Sequence, residues 1–283
     1  MGLKKILKKI SYFILNSPNK KVNITIEQVK DGSLLKGKNI LIVGGSSGIG
    51  FAIAKRCQEE GANVIISSSN SEKLNEATKK IKGNCFGITF DISKVKSINT
   101  FLDECTSKFG GNIDALICSA GISLHEGNYK NVTEDGFDKQ FNINMKGTYF
   151  LCKSYLEKIS NKNNGNLLVI SSETADQCYD IPYGMTKASL NSMICALSRR
   201  EYQNGIRVNG IAPGVTQTDM TKDYAEVVNG DYSRVNAMGR IALPEEIAEV
   251  AIFLLSDRSK CISGEIIHCN AGNHLKAFWD ITN

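Results

Sequence analysis

From Asn39 onward, short apolar runs alternate with longer stretches in which apolar residues recur every three or four positions. The runs are Ile40–Val43, Val64–Ile66, Phe86–Phe90, Ala115–Cys118, Leu167–Ile170, Val208–Ala212 and Glu265–His268. Between them lie helical patterns at Gly50–Glu60, Lys94–Phe109, Asp135–Ser160, Ser189–Gln203 and Pro244–Leu255. A strand buried on both faces reads as a continuous apolar run, and parallel strands need a helix to carry the chain back. The pattern therefore predicts about six or seven βα units in one α/β domain: a Rossmann-type doubly wound parallel sheet with helices on both faces. The last helix has a clean start. Pro244 sits just inside it, Glu245 and Glu246 occupy its first turn, and Ile247, Val250, Ala251 and Leu254 recur at helical spacing.

Composition adds boundaries. The chain has 283 residues, 42% apolar and 22% charged, which is ordinary for a globular protein. No run approaches the roughly 20 apolar residues needed to span a bilayer. The net charge of +5 is unevenly placed: residues 1–38 hold nine lysines and sum to +7, leaving the rest at −2. The basic character thus belongs to an N-terminal extension, residues 1–33, and the domain at 34–283 offers no basic patch for nucleic acid. Nine scattered cysteines without a C-x-x-C pair read as reduced thiols in a cytoplasmic protein. The histidines at 125, 268 and 274 do not cluster with cysteines or carboxylates at ligand spacing, so no metal site is expected. Lysines run to position 9 and the apolar patch Ile10–Leu15 is too short for a signal peptide; Ile6 argues against a myristoylation start at Gly2.

The first predicted strand runs into Val43-Gly44-Gly45-Ser46-Ser47-Gly48-Ile49-Gly50, and a helix follows. Gly44 can take a backbone conformation closed to other residues, Gly48 admits a pyrophosphate, and Gly50 lets the helix pack on the sheet. Free N–H groups and the helix dipole favour a phosphate there, cradled by Ser46, Ser47, Gly48 and Ile49. In this strand–turn–helix setting the turn points to a dinucleotide.

These residues resemble the short, single-domain branch of the short-chain dehydrogenase/reductases, over roughly residues 34–272. That family's turn is T-G-x-x-x-G-x-G, and Val43 replaces its threonine. The resemblance implies an adenine-contacting pair at Asp91-Ile92. It aligns Cys118-Ser119-Ala120-Gly121 with the family's N-A-G motif, Ser119 standing for the asparagine and Gly121 still allowing close cofactor approach. It also implies that Pro213, Gly214, Val215 and Thr218 hold the nicotinamide carboxamide and phosphates. Asn270-Ala271-Gly272 stands where the family has D-G-G, near an edge that often belongs to an oligomer interface; a homo-dimer or homo-tetramer is the corresponding expectation.

The second strand ends Ser67-Ser68-Ser69-Asn70. An acid here would bind the adenosine ribose and repel a 2′-phosphate. Ser68, Ser69 and Asn70 instead offer hydroxyls and an amide. NADP(H) is favoured, with NAD(H) the alternative, although the arginine of many NADP-using relatives is missing near Ser69.

Tyr183-Gly184-Met185-Thr186-Lys187 opens a long helix, and Tyr183 and Lys187 lie on one face a turn apart. A nearby ammonium, together with the positive nicotinamide of the oxidised complex, is expected to lower the phenol's pKa from about 10. The hydroxyl then exchanges a proton with a carbonyl or alcohol as hydride moves. A second Tyr-x-x-x-Lys, Tyr149 to Lys153, lies mid-helix, where tyrosine is expected in the core. By the resemblance, a serine at the end of the strand Leu167–Ile170 donates to the substrate oxygen; Ser172 is the better match and Ser171 the fallback. Asn144 matches the asparagine whose kinked helix positions a proton-relaying water, with Asn142 the competitor.

The substrate is less legible. Residues 219–240 correspond to a variable lid, and the polar segment His125–Lys130 reads as a second wall that mildly favours a sugar-like compound. A 3-oxoacyl thioester stays open, since many relatives of this layout reduce 3-oxoacyl-carrier proteins. In the arm, Leu3, Ile6, Leu7, Ile10, Phe13 and Ile14 share one helical face against Lys4, Lys5, Lys8 and Lys9. Contact of residues 3–15 with a membrane surface, docking on a partner, and packing on its own domain remain open. The reading is an NADP-dependent carbonyl oxidoreductase, against a non-catalytic dinucleotide-binding sensor or scaffold on the same fold.

Overall fold

The computed structural model describes residues 32–159, 164–222 and 240–275. The expectations for residues 3–15 and for most of the 219–240 segment lie outside these residues. Seven strands form one sheet: β1 (Asn39–Val43), β2 (Asn63–Ser68), β3 (Cys85–Thr89), β4 (Ala115–Cys118), β5 (Gly165–Ile170), β6 (Ile206–Pro213) and β7 (Ile266–Cys269). All pairings are parallel, in the order β3-β2-β1-β4-β5-β6-β7. The order reverses between β1 and β4, and Ile40 pairs with Val64 on one side and Ala115 on the other. A crevice opens at the carboxyl ends of strands at such a switch point.

The helices are α1 (Gly48–Glu59), α2 (Ser71–Lys80), α3 (Ile98–Phe109), α4 (Glu134–Gln140), α5 (Thr148–Ile159), α6 (Pro182–Glu201) and α7 (Pro244–Leu255). Alternate strand residues face opposite layers. Ile40, Ile42, Val64 and Ile66 pack with Ile53 of α1, Leu74 of α2 and Ile247 of α7. Leu41, Val43, Leu116 and Leu167 pack with Leu102 of α3, Tyr155 of α5 and Leu190 of α6. Full burial of each such aliphatic side chain contributes about 1.5–3 kcal/mol. This two-sided cover is why the strands read as unbroken apolar runs.

Two sequence expectations need correction, and one is extended. The pattern over 135–160 is not one α-helix, because Phe141–Gly147 forms a π-helical segment between α4 and α5. The helix expected to open at Tyr183 does start there, at Pro182, and runs unbroken through the 189–203 pattern to Glu201; proline with its preset φ suits that first turn. Tyr149 is not core. It is 43% exposed, because α5 buries Leu151, Cys152, Tyr155 and Leu156 and turns Tyr149 and Phe150 outward.

Candidate active site

A cleft of ≈ 330 Å³ runs across the strand ends at the switch point. Its floor at one end is the glycine turn. Gly44 has φ +87°, and a Cβ there would strike the backbone of Ala120 and Ser119. Gly48 has φ +54° and lies against Thr218, whose Cγ2 would be 3.0 Å from an added Cβ. Gly50 does not line the cleft. It is buried beneath the turn, where a Cβ would collide with the Gly44 carbonyl oxygen. The turn is anchored by the Gly44 and Gly45 N–H groups, which donate to the Ser67 carbonyl at 2.9 and 3.1 Å.

Helix α1 begins in this turn with no side-chain cap and no acid in its first turn. An uncapped helix start leaves N–H groups pointing outward with a positive dipole end behind them. A buried helix start normally borrows a Ser, Thr or Asp oxygen, so this one is suited to an anion. The cleft also takes in Ser68 and Ser69 at the end of β2 and Asp91 and Ile92 after β3. Asp91 is held by Ser93, whose N and Oγ donate to its Oδ1 at 2.9 and 2.7 Å. Ser119, Gly121, Pro213, Gly214 and Thr218 line the middle. A pyrophosphate-sized anion seat with a long groove on either side fits a dinucleotide.

Two expected cofactor contacts fall outside the groove. The Asn70 side chain caps α2, accepting from Lys73 N at 2.8 Å, so its oxygen is already committed. Val215 gives its carbonyl to Ala242 N at 2.9 Å, and the next residue, Thr216, lines the cleft instead. The segment His125–Lys130 does not line the cleft either: Glu126 bonds Gln140, and Tyr129 N donates to Asp180. The expected polar wall is therefore absent among the described residues. Apolar side chains that do line the cleft include Ile122, Ile143, Ile170 and Met220.

At the other end stand Ser172, Tyr183 and Lys187. Strand β5 ends at Ile170 and delivers Ser171 and Ser172 in turn. Ser171 Oγ turns to α6, donating to Asn191 Oδ1 at 2.5 Å. Ser172 caps the short turn Glu173–Asp176, its Oγ accepting from Thr174 N and Oγ1 at 3.2 and 3.0 Å. It lines the cleft together with Tyr183, close enough to favour the phenol's ionised form. Of the two serines, the second faces the phenol.

Lys187 is buried, 5% exposed, and Nζ donates to the Ile170 carbonyl at 2.9 Å. Burial lowers its pKa to about 8. Burial also raises the Tyr183 pKa; the neighbouring Ser172 hydroxyl opposes this, and Tyr179 and Glu173 add to the rise. The expectation that the lysine would lower the phenol's pKa thus fails for the protein by itself. Lys187 Nζ sits 5.6 Å from the Tyr183 ring centre and is directed at a carbonyl, so desolvation dominates. The outcome is a neutral phenol at neutral pH.

Asn144 lies behind the cleft. It sits in the π-helical segment, 1% exposed, and grips Ile122 with both ends of its amide: Oδ1 accepts from Ile122 N and Nδ2 donates to Ile122 O, each at 2.9 Å. Nδ2 also reaches Thr186 Oγ1 at 3.2 Å, and that hydroxyl donates to the Tyr183 carbonyl at 2.7 Å. An added Cβ at Gly121 would lie 3.5 Å from Asn144 Oδ1 and 3.6 Å from Lys187 Nζ. Gly121 therefore lines the cleft hard against both Asn144 and Lys187. Asn142 is not part of this network. Single-turn π segments recur at functional sites because they re-aim a side chain without ending the helix.

Sequence reasoning missed Lys73. It stands in the first turn of α2, a helix that was not foreseen, and its Nζ pairs with Asp219 Oδ2 at 3.0 Å beside the cleft. The available signal was a lysine three residues after Asn70, a natural N-cap.

Comparison with known proteins agrees with this geometry. A family model described as enoyl-(acyl carrier protein) reductase matches residues 43–274. The chain is 34% identical to a 3-oxoacyl-[acyl-carrier-protein] reductase of Rickettsia prowazekii over 242 residues, covering 84% of this chain and 97% of that one. It is 30% identical to a protein of the same description from Aquifex aeolicus over 244 residues, covering 84% and 98%. Among solved structures, a short-chain type dehydrogenase/reductase from Mycobacterium ulcerans superimposes with a TM-score of 0.81 at 25% identity, covering 85% of this chain and 91% of that one. Levodione reductase, at 24% identity and TM-score 0.80 over 86% and 99%, shares the fold.

Proposed function

The chain belongs to the short-chain dehydrogenase/reductase family, and from that premise we propose that it reduces the ketone of a 3-oxoacyl thioester with NADPH, Tyr183 being the proton donor. The coarser statement is firm: it is an NAD(P)-dependent oxidoreductase acting on CH–OH or C=O groups. The non-catalytic alternative is not favoured by these relatives.

One observation carries the reading: Ser172, Tyr183 and Lys187 line the same end of one cleft, with Lys187 one helical turn on from Tyr183. Two hydroxyls side by side at one end of a cleft suit a single oxygen that gains charge during reaction. That is what a carbonyl oxygen does. Bound in the cleft, the nicotinamide dinucleotide supplies or accepts hydride. Ser172 donates to the substrate oxygen and holds it near the phenol. Tyr183, neutral because burial raises its pKa, gives the oxygen its proton. Lys187 holds its charge weakly, with a pKa of about 8, and is the group through which a proton returns to Tyr183. Asn144 positions the Ile122 and Thr186 segments around that lysine.

Support for NADP over NAD is the lack of an acid at the end of β2, where Ser68 and Ser69 face the cleft. Support for a thioester with an acyl chain comes from the relatives described as 3-oxoacyl reductases, and the cleft's lining includes the apolar Ile122, Ile143, Ile170 and Met220. The decisive assay is NADPH oxidation with a short 3-oxoacyl thioester of coenzyme A, set against ketoses and small diketones. Turnover is expected with the thioester. Turnover with the sugars and none with the thioester would reject it.

A further inference from the structure

The cleft continues past Ser46 and Ser47. A second cavity of ≈ 260 Å³ opens between α1 and α2, lined by Ser46, Ser47, Lys73, Glu76, Lys80 and Asp219 among others. Ser46, Ser47 and Asp219 also line the main cleft, so the two spaces adjoin. Lys73 Nζ lies 3.0 Å from Asp219 Oδ2 across it. Its backbone is fixed, because Asn70 Oδ1 accepts from Lys73 N at 2.8 Å and Asn70 N donates to Ser68 Oγ at 3.2 Å. The turn at the end of β2 is thereby tied to the helix that carries the lysine.

We propose that Lys73 is the residue that selects NADP(H): it leaves Asp219 to bind the 2′-phosphate in this second cavity, beside the hydroxyls of Ser46 and Ser47. The inference rests on the NADP reading above and names the cation that the loop after β2 lacks.

The exchange is physically cheap. The side chains of Lys73 and Asp219 are 57% and 76% exposed, and an ion pair so exposed contributes little. A phosphate monoester carries about −1.5 to −2 charges at neutral pH, against one for a carboxylate. It also presents three acceptor oxygens where two hydroxyls and an ammonium converge. Asp219 then has two effects. It holds the lysine at the cavity mouth, and its own charge opposes the incoming phosphate. Removing the lysine and removing the carboxylate should therefore shift affinity in opposite directions, and only for the phosphorylated cofactor.

The test is titration of the full-length protein with NADPH and with NADH, followed by cofactor fluorescence, for wild type, Lys73→Met and Asp219→Asn. We expect wild type to bind NADPH more tightly. Lys73→Met should weaken NADPH about tenfold, the loss of one charge-assisted contact, and leave NADH unchanged. Asp219→Asn should tighten NADPH by a few fold and leave NADH unchanged. If wild type prefers NADPH but Lys73→Met keeps the same NADPH-to-NADH ratio, the lysine has no such role and the NADP reading stands. If Asp219→Asn weakens NADPH, the exchange is wrong. If wild type binds NADH more tightly, the NADP reading itself fails and takes this inference with it.

Discussion

The two ends of the cleft use the chain in opposite ways. From Val43 to Gly50, the proposed function rests on what is missing: no Cβ at Gly44, Gly48 or Gly50, no cap on α1, no acid in its first turn. From Ile170 to Lys187 it rests on side chains driven into the interior. Lys187 is buried with a lowered pKa, and Tyr183 is held neutral by the same desolvation. The contrast separates two kinds of sensitivity. The first end should respond to added volume and hardly to pH. The second should respond to pH and to loss of single atoms.

The sharpest break comes from removing one oxygen. Tyr183→Phe keeps the ring and its packing but deletes the proposed proton donor. Turnover should fall about 10²- to 10⁴-fold, the usual worth of a positioned general acid. Cofactor affinity, which the other end supplies, should change by less than about twofold on the same argument. Near-native turnover would remove Tyr183 from the chemistry and erase the division between the two ends.

Next in size is a pH effect confined to the second end. Lys187 has a folded-state pKa of about 8 against 10.5 for the free side chain. Below about 8, folding must retain a proton on a desolvated amine, and that costs stability. As pH rises from 8 toward 10.5 the folded protein sheds the proton first and the cost fades. At about one pKa unit per 1.36 kcal/mol, the full effect is about 3 kcal/mol. The unfolding free energy of Lys187→Met minus that of wild type should therefore be greatest near neutrality and shrink by about that amount by pH 10.5. Denaturant melts of both proteins across this range give the answer. A difference that stays constant would mean the amine is better solvated than its burial implies.

Added volume tests the first end. Gly44→Ala must hold φ +87° with a Cβ against the Ala120 backbone. The left-handed conformation costs about 1–2 kcal/mol and the overlap adds to it, so a loss of about 2–3 kcal/mol is expected. Cofactor affinity should fall with stability, and both losses should be insensitive to pH. A variant as stable as wild type that still bound cofactor would show that the turn can shift.

How much of this was legible follows the same division. The inner strands stood out because both sheet faces are covered there, which makes Ile40–Val43 or Leu167–Ile170 an unbroken apolar run. The glycine turn was legible because missing side chains are visible as letters. Helix α2 was not. It buries only Leu74 and Ala77, while Glu72, Lys73, Glu76, Lys79 and Lys80 stay polar, so it reads as a charged loop. The π segment left no mark on the hydrophobic pattern, because widening a helix by one residue leaves its apolar face almost unchanged; only the resemblance at Asn144 implied a kink there. Tyr149 was misread because Leu151 and Cys152 nearby are core; only the rotation of α5 decides which aromatics face out. The rise in the Tyr183 pKa depends on depth and on where Lys187 points, and neither is written in a spacing.

The smallest test concerns a position where the backbone asks for glycine and the chain supplies something else. Ala271 holds φ +52°, left-handed, in the turn after β7. Its side chain is exposed, so it contributes no packing that would justify the strain. The turn is maintained by its neighbour, since Asn270 Oδ1 accepts from Gly272 N at 3.2 Å and Asn270 O accepts from Asn273 N at 3.0 Å. Ala271→Gly relieves about 1–2 kcal/mol of left-handed strain. It also loosens the unfolded chain, which offsets about 0.4–1 kcal/mol. A net gain of about 0.5–1 kcal/mol follows, seen as a small rise in melting temperature with no change in cofactor affinity or turnover. The sign is what matters. A loss would mean that unfolded-state freedom outweighs strain here, and the same correction would then shrink the penalty expected for Gly44→Ala.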